Sequence, residues 1–154
     1  MTREVRKVPA DWQHPSDGYY PNGEVRYVPL FNGDQFISKA AQWDESAAKW
    51  AQGEFPEDAD AAHRAMSFEE WDDPRPAAED YMPIWPEAEC TNFMMYELST
   101  EGTPLSPAFA TLEELAAWLA ENKVSIYANE TAGFDDWLAV CNGEPVVLAL
   151  TPQR

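Results

Sequence analysis

The chain has 154 residues, of which 45% are hydrophobic and 13% aromatic, a composition typical of a packed domain rather than a disordered chain. Its 28 acidic residues outnumber its ten Lys and Arg, and the resulting formal charge of −18 would repel a nucleic-acid backbone and an anionic membrane surface. We therefore expect one domain over residues 1–154 that binds neither nucleic acid nor membrane directly.

The opening segment, residues 1–33, is predicted to be an extended arm. Its prolines and its three turn pairs interrupt any helix. The turn pairs are Asp17-Gly18, Asn22-Gly23 and Asn32-Gly33. Residues 24–30 partly alternate, as a strand or an extended arm would. No apolar stretch follows the basic residues near the N-terminus, so we expect no secretion signal.

An amphipathic helix is predicted from about residue 34 to residue 52. Apolar side chains recur there at spacings of four, three, four and three residues. They are Phe36, Ala40, Trp43, Ala47 and Trp50. Asp34 would cap the helix and Gly53 would end it. We assign both Trp residues to the core, because a Trp on an apolar helical face is usually buried.

Residues 54–90 are predicted to be an irregular segment that is fixed by its aromatic side chains, with a short helix at about 57–66. Residues 40–80 hold twelve acids and three bases, the densest acidic tract of the chain. The candidate partner-binding residues come from this tract: Glu57, Asp58, Asp60, Glu69, Glu70, Trp71, Asp72, Asp73, Glu79 and Asp80. The alternative is a solvated face that only maintains solubility.

The last third of the chain predicts an α+β fold: a small antiparallel or mixed sheet packed by about three helices. Strands are expected near residues 92–98, 107–110 and 145–150, with a short one at 125–128. Helices are expected at 111–122, where Thr111 and Glu114 suggest a capping box, and at 134–142. No apolar run is long enough to cross a bilayer.

The sequence indicates no catalytic or cofactor site. A phosphate-binding loop is disfavoured because no Gly-x-Gly occurs. His14, His63, Cys90 and Cys141 lack the close spacing of zinc ligands, and we expect both cysteines to be reduced thiols. The acidic clusters lack the pattern of a calcium loop, and glycosidase-type carboxylate pairs carry no signal in so acidic a chain. We expect no metal, no cofactor and no enzymatic activity.

Several stretches resemble small hypothetical proteins of tailed phages and prophages. They are residues 3–15 (REVRKVPADWQHP), 82–87 (MPIWPE), 95–97 (MYE), 100–107 (TEGTPLSP), 115–120 (LAAWLA), 131–132 (TA) and 137–139 (WLA). The likeness spans most of the chain and is weakest between about 35 and 80. It implies a phage or prophage origin and a bacterial cytoplasm, and it implies no catalytic residue.

Two functions fit these observations. The first is a non-catalytic phage accessory protein whose acidic tract binds a basic surface of a host protein that handles nucleic acid, as an inhibitor of a restriction or CRISPR-type defence would. The second is a phage assembly or interaction protein that self-associates, for example as a homodimer through Trp-rich surface, with its charge serving solubility alone.

Overall fold

The computed structural model describes residues 2–127 and 130–144. These residues form an α+β fold, as predicted, and among them the structure has three small antiparallel sheets and three helices of seven residues or more. The chain divides into two compact units, one formed by Met1–Leu30 with Trp85–Arg154 and the other by Phe31–Ile84. We call them the sheet unit and the acidic unit. That the whole chain is one domain stays a prediction.

The sheet unit is organised around three antiparallel strands in the order β1, β4, β5. Strand β1 is Arg3–Val8, β4 is Asn92–Glu97 and β5 is Thr103–Pro104. The first two pair along their full length. Part of the predicted N-terminal arm is therefore a strand of the main sheet.

Both faces of the central strand β4 are covered. Met95 lies in a core with Leu115, Leu119, Ile126 and Trp137, all of them without exposed surface. Adjacent side chains of a strand point to opposite faces, so Tyr96 is directed away from that core, and its buried ring contacts residues of the N-terminal segment.

The described part of the sheet unit also contains two helices, two hairpins and a 3₁₀ turn at Glu87–Glu89. Helix α4 is Leu112–Glu121 and α5 is Phe134–Cys141, close to their predicted bounds. The hairpins are β2 (Ser16–Tyr19) with β3 (Val25–Tyr27), and β6 (Ser125–Tyr127) with β7 (Glu130–Thr131). Of the predicted capping box, one half is present: Thr111 caps α4 by accepting a hydrogen bond from the Glu114 amide. The Glu114 carboxylate accepts from the Thr111 hydroxyl and not from the Thr111 amide.

The predicted strand at 107–110 is wrong. Besides β1, the strand that pairs with β4 is β5, and in the later segment only Phe109 forms an isolated bridge, with Phe93. Pro107 contributes to the difference, because it has no N–H to donate to a ladder. Just before it, the Ser106 hydroxyl accepts the hydrogen bond of the Met95 amide in place of a backbone carbonyl.

The acidic unit contains one long helix and several single turns. Helix α1 is Phe36–Ala51, α2 is Ala61–Arg64 and α3 is Phe68–Trp71; 3₁₀ turns span Gly33–Gln35 and Ala78–Asp80. The short helix expected at 57–66 is thus a single turn. Asp34 is not the cap of α1, because the 3₁₀ turn comes first and Asn32 accepts the hydrogen bond of the Asp34 amide.

The predicted strand at 145–150 lies outside the described residues, as does Ala128 of the short strand expected at 125–128. Among the residues that the structure describes, no helix has the length and apolar character that crossing a membrane requires.

Candidate functional site

All ten predicted partner-binding residues belong to the acidic unit, and the nine carboxylates among them are exposed. Trp71 is half-buried. The carboxylates follow two segments, residues 57–60 and 69–73, and a separate turn at 79–80. We call the carboxylates of the first two segments the acidic face.

One aromatic cluster supports both segments of the acidic face. Its buried members are Trp50 from α1, Ala59 between the first acids, and Phe68 from α3. Because Ala59 and Phe68 are anchored in the same cluster, the acids beside them are held on a common support. Glu79 and Asp80 lie elsewhere in the unit, since the adjoining Tyr81 packs against the rings of Phe31 and Phe36.

Local hydrogen bonds fix the backbone that carries the acids. Asp60 caps α2 by accepting from the His63 amide, and this bond holds the pKa of the Asp60 carboxyl below its usual value. Ser67 caps α3 in the same way and donates its hydroxyl to the Glu70 carboxylate. The acidic face therefore rests on two capped turns.

The basic residues of the acidic unit are already engaged within it. Residues 31–84 hold 13 acids and four bases. Arg75 pairs with Asp44, whose pKa is lowered by that hydrogen bond, and Lys49 pairs with Glu45 one helical turn away. The other two bases lie over aromatic rings: Lys39 over Phe31 and Arg64 over Phe55.

The acidic face consequently forms few ion pairs with the cations of its own unit, although the charge of Arg64 contributes to lowering the pKa of Asp60. Within the described part of the chain, no Lys or Arg side chain lies within 4 Å of a carboxylate at 57–60 or 69–73, and only His63 approaches one, at Asp60.

A cleft of about 330 Å³ opens into the aromatic cluster. We call it the aromatic cleft; it is lined by Ser46, Lys49, Trp50, Glu54, Phe55, Pro56, Phe68, Trp71 and Asp72. The Trp50 indole donates to the Met66 carbonyl at 3.0 Å, which fixes its ring. Trp71 stacks on it with centroids 5.0 Å apart. Phe55 meets it edge to face at 4.7 Å.

Sequence reasoning identified Trp71 and Asp72 but missed the rest of the cleft. The prediction that Trp50 belongs to the core is correct, because the residue is buried. It also forms part of the lining of the cleft. The available signal was the pair of aromatic residues, Phe55 and Phe68, on either side of the first acids.

A second cavity, of about 780 Å³, lies in the sheet unit between the N-terminal segment and residues 104–108. Trp12, His14 and Trp118 contribute to its lining. Beside it, the buried Tyr96 hydroxyl lies 2.9 Å from His14 Nδ1 and accepts from the Trp12 indole at 3.2 Å. His14 Nε2 lies 2.6 Å from the Val28 carbonyl oxygen.

The protonation states in this network follow from its partners. A carbonyl only accepts, so His14 Nε2 carries the proton and the neutral Nδ1 accepts from Tyr96. Burial lowers the pKa of His14, and burial raises the pKa of Tyr96 to about 12. The network joins the N-terminal segment to the central strand with every one of these polar atoms paired.

The described residues contain no group of three or more His, Cys, Asp or Glu side chains arranged to hold a metal ion. Neither cysteine belongs to a disulfide among the described residues, and burial, with a smaller effect of Glu113, raises the pKa of Cys141 to about 11. Comparison of the chain with protein-family models, with curated proteins and with solved structures finds no match.

Proposed function

We propose that the acidic face binds a basic surface of another protein, and that the protein is a non-catalytic phage accessory factor directed at a host protein that handles nucleic acid. The observation that carries the proposal is that the carboxylates of the acidic face form almost no ion pairs. The four Lys and Arg residues of the acidic unit pair with other carboxylates or lie over aromatic rings.

The physical argument concerns repulsion and its relief. Exposed carboxylates crowded on one support repel each other, and a Lys- and Arg-rich partner surface removes that repulsion as it binds. A protein surface that normally holds phosphates offers such cations in a row. Association should be fast and should weaken as salt screens the charges, since the Debye length falls to about 10 Å at 0.1 M salt.

The first experiment is affinity capture of the tagged protein from bacterial lysate at low and at raised salt, with mass spectrometry of what is bound. We expect a nucleic-acid-handling protein that is held at low salt, released by salt and displaced by DNA. Capture of phage proteins alone, or of nothing, would contradict the proposal.

A charge-neutralising variant tests the face itself. We expect E69Q/E70Q/D72N/D73N to weaken binding of the captured partner by about fourfold or more, from roughly 0.2–1 kcal/mol for each exposed charge. A matched control, E87Q/E89Q/E121Q/E144Q, removes four exposed charges from the sheet unit. Equal losses in the two variants would show that net charge acts rather than this face.

A specific observation also favours the second function, self-association in phage assembly. The hairpin of β2 and β3 exposes Tyr19 by 71%, Tyr20 by 50% and Val25 by 37%. A two-stranded hairpin with exposed apolar side chains is a template for pairing with another chain. No Trp is among the exposed large apolar residues of the described chain, so the surface would be Tyr-rich and not Trp-rich. Sedimentation velocity of the wild type against Y19S/Y20S tests this: a dimer that the variant abolishes supports it, and a wild-type monomer contradicts it.

A further inference from the structure

We propose that the aromatic cleft receives an arginine side chain of the basic partner, so that Trp71 and Asp72 form the specific contact within the broader acidic face. This inference rests on the proposed function and names the chemical group that its site recognises.

The size of the cleft suits one side chain. Its volume of about 330 Å³ lies at the lower end of the range for ligand pockets, roughly 300–1,000 Å³. Its walls are indole and phenyl rings of Trp50, Phe55, Phe68 and Trp71 that are packed against each other, so the shape exists before a ligand arrives.

The charge at the rim selects a cation. Glu54 and Asp72 are exposed there and form no ion pair in the described part of the chain. Lys49 also lines the cleft, and its ammonium group pairs with the Glu45 carboxylate at 3.3 Å. The face of an aromatic ring attracts a cation as well, so rings and rim favour the same ligand.

The acidic unit already shows this chemistry within itself. The guanidinium carbon of Arg64 lies 5.4 Å from the centre of the Phe55 ring, while its Nε donates to the Ala59 carbonyl at 2.9 Å. Phe55, which lines the cleft, therefore already has one guanidinium group over its ring. A guanidinium is favoured over an ammonium, because it stacks flat on a ring and forms paired hydrogen bonds to a carboxylate.

Trp71 is the indole best placed to meet the ligand. The indole groups of Trp43 and Trp50 donate to the carbonyls of Asp73 and Met66. The Trp71 indole forms no hydrogen bond to the residues that the structure describes, and its ring is half-buried at the rim. Its ring also contacts the rings of His63 and Phe68, so packing fixes its position while its N–H has no acceptor in the described chain.

The test uses the complete protein and small peptides, so it does not require the partner. Indole N–H resonances are followed by NMR while acetyl-Gly-Arg-Gly-amide is added, with Trp50 and Trp71 assigned from Trp→Phe variants. The control peptide replaces Arg by citrulline, which has the same shape without the charge. We expect the Trp50 and Trp71 signals to shift with the arginine peptide and not with the citrulline peptide. No shift, or equal shifts with both peptides, would overturn the inference.

Variants then separate the cleft from the general charge. W71L keeps an apolar side chain and removes the indole, and D72N removes the rim charge. Each should weaken binding of the arginine peptide about threefold to tenfold. D34N removes an exposed charge of the same unit that lies outside both the cleft and the acidic face, and it should change binding of the peptide less than twofold. If the peptide titration fails while partner capture remains salt-sensitive, the inference is wrong and the proposed function stands. If W71L and D72N behave as D34N does, the cleft has no specific role.

Discussion

Replacing Tyr96 by Phe should destabilise the sheet unit far more than the loss of one oxygen atom suggests. The ring of Tyr96 has no exposed surface, and its hydroxyl joins the Trp12 indole to His14 Nδ1 in the network described above. The variant keeps the ring and its packing and removes these two hydrogen bonds, together with a long contact of the hydroxyl to the Met94 sulfur at 4.0 Å.

The expected cost is about 2–3 kcal/mol of unfolding free energy. His14 is buried, with 8% of its surface exposed, so its Nδ1 would lose its donor without gaining water. Leaving such an acceptor unpaired costs about 1–3 kcal/mol, and the hydrogen bond of the half-buried Trp12 adds roughly 0.5–1.5 kcal/mol. Removing the need to bury a hydroxyl offsets part of that sum. The midpoint of thermal unfolding should fall by about 5–10 °C, given roughly 2–4 °C per kcal/mol for a chain of this length.

Urea denaturation of Y96F, followed by circular dichroism, measures the cost. The control is Y19F. Tyr19 is 71% exposed, so loss of its hydroxyl should change the free energy of unfolding by less than about 0.5 kcal/mol. An unchanged denaturant slope would show that both variants unfold the same structure. A Y96F protein as stable as Y19F would refute the hydrogen-bond network as a support of the fold.

Three further outcomes follow from single residues. Because burial lowers the pKa of His14, this histidine takes up a proton in the unfolded chain before it does so in the folded protein as the pH falls below about 6.5. The free energy of unfolding of the wild type, measured by urea titration, should therefore fall more steeply from pH 7.5 to 5.5 than that of H14Q. G102A should destabilise the protein well beyond G53A, since both glycines have positive φ but only at Gly102 would a β-carbon overlap the Leu30 carbonyl oxygen; equal thermal midpoints would contradict this. Cys141, with its pKa raised to about 11, should react with iodoacetamide at pH 8 only after unfolding, and labelling of the native thiol, detected by mass spectrometry, would show that it is accessible.

The helices could be predicted from the sequence because their signals are local. The period of apolar residues and the Thr111 cap lie within the segments they describe, and α1, α4 and α5 have nearly the predicted bounds. Strand β1 could not be predicted in this way. Its buried face includes Arg6, which lies over the Tyr96 ring, and its partner strand is remote in sequence. When a buried position of a strand holds a charged residue whose partner is distant in sequence, the strand lacks the alternation of apolar and polar residues from which it could be predicted.

The candidate site was predictable only in part for the same reason. Exposure of the acids follows from their charge. The aromatic cleft, in contrast, forms only where three segments meet: α1, the irregular segment at Phe55, and α3. Taken alone, the aromatic residues of each segment have the pattern of ordinary core positions. A sequence shows which residues are costly to bury, but it does not show which rings become neighbours.

The pairing of β1 with β4 has a consequence for synthesis of the chain. Arg3 pairs with Glu97, so the first strand emerges from the ribosome well before its partner exists. At about 5–20 residues per second this interval lasts on the order of 5–20 seconds. The intervening acidic unit, complete at Ile84, is available to fold first. During that time the nascent β1 is an unpaired strand, and another nascent chain on the same messenger is the nearest competitor for its edge.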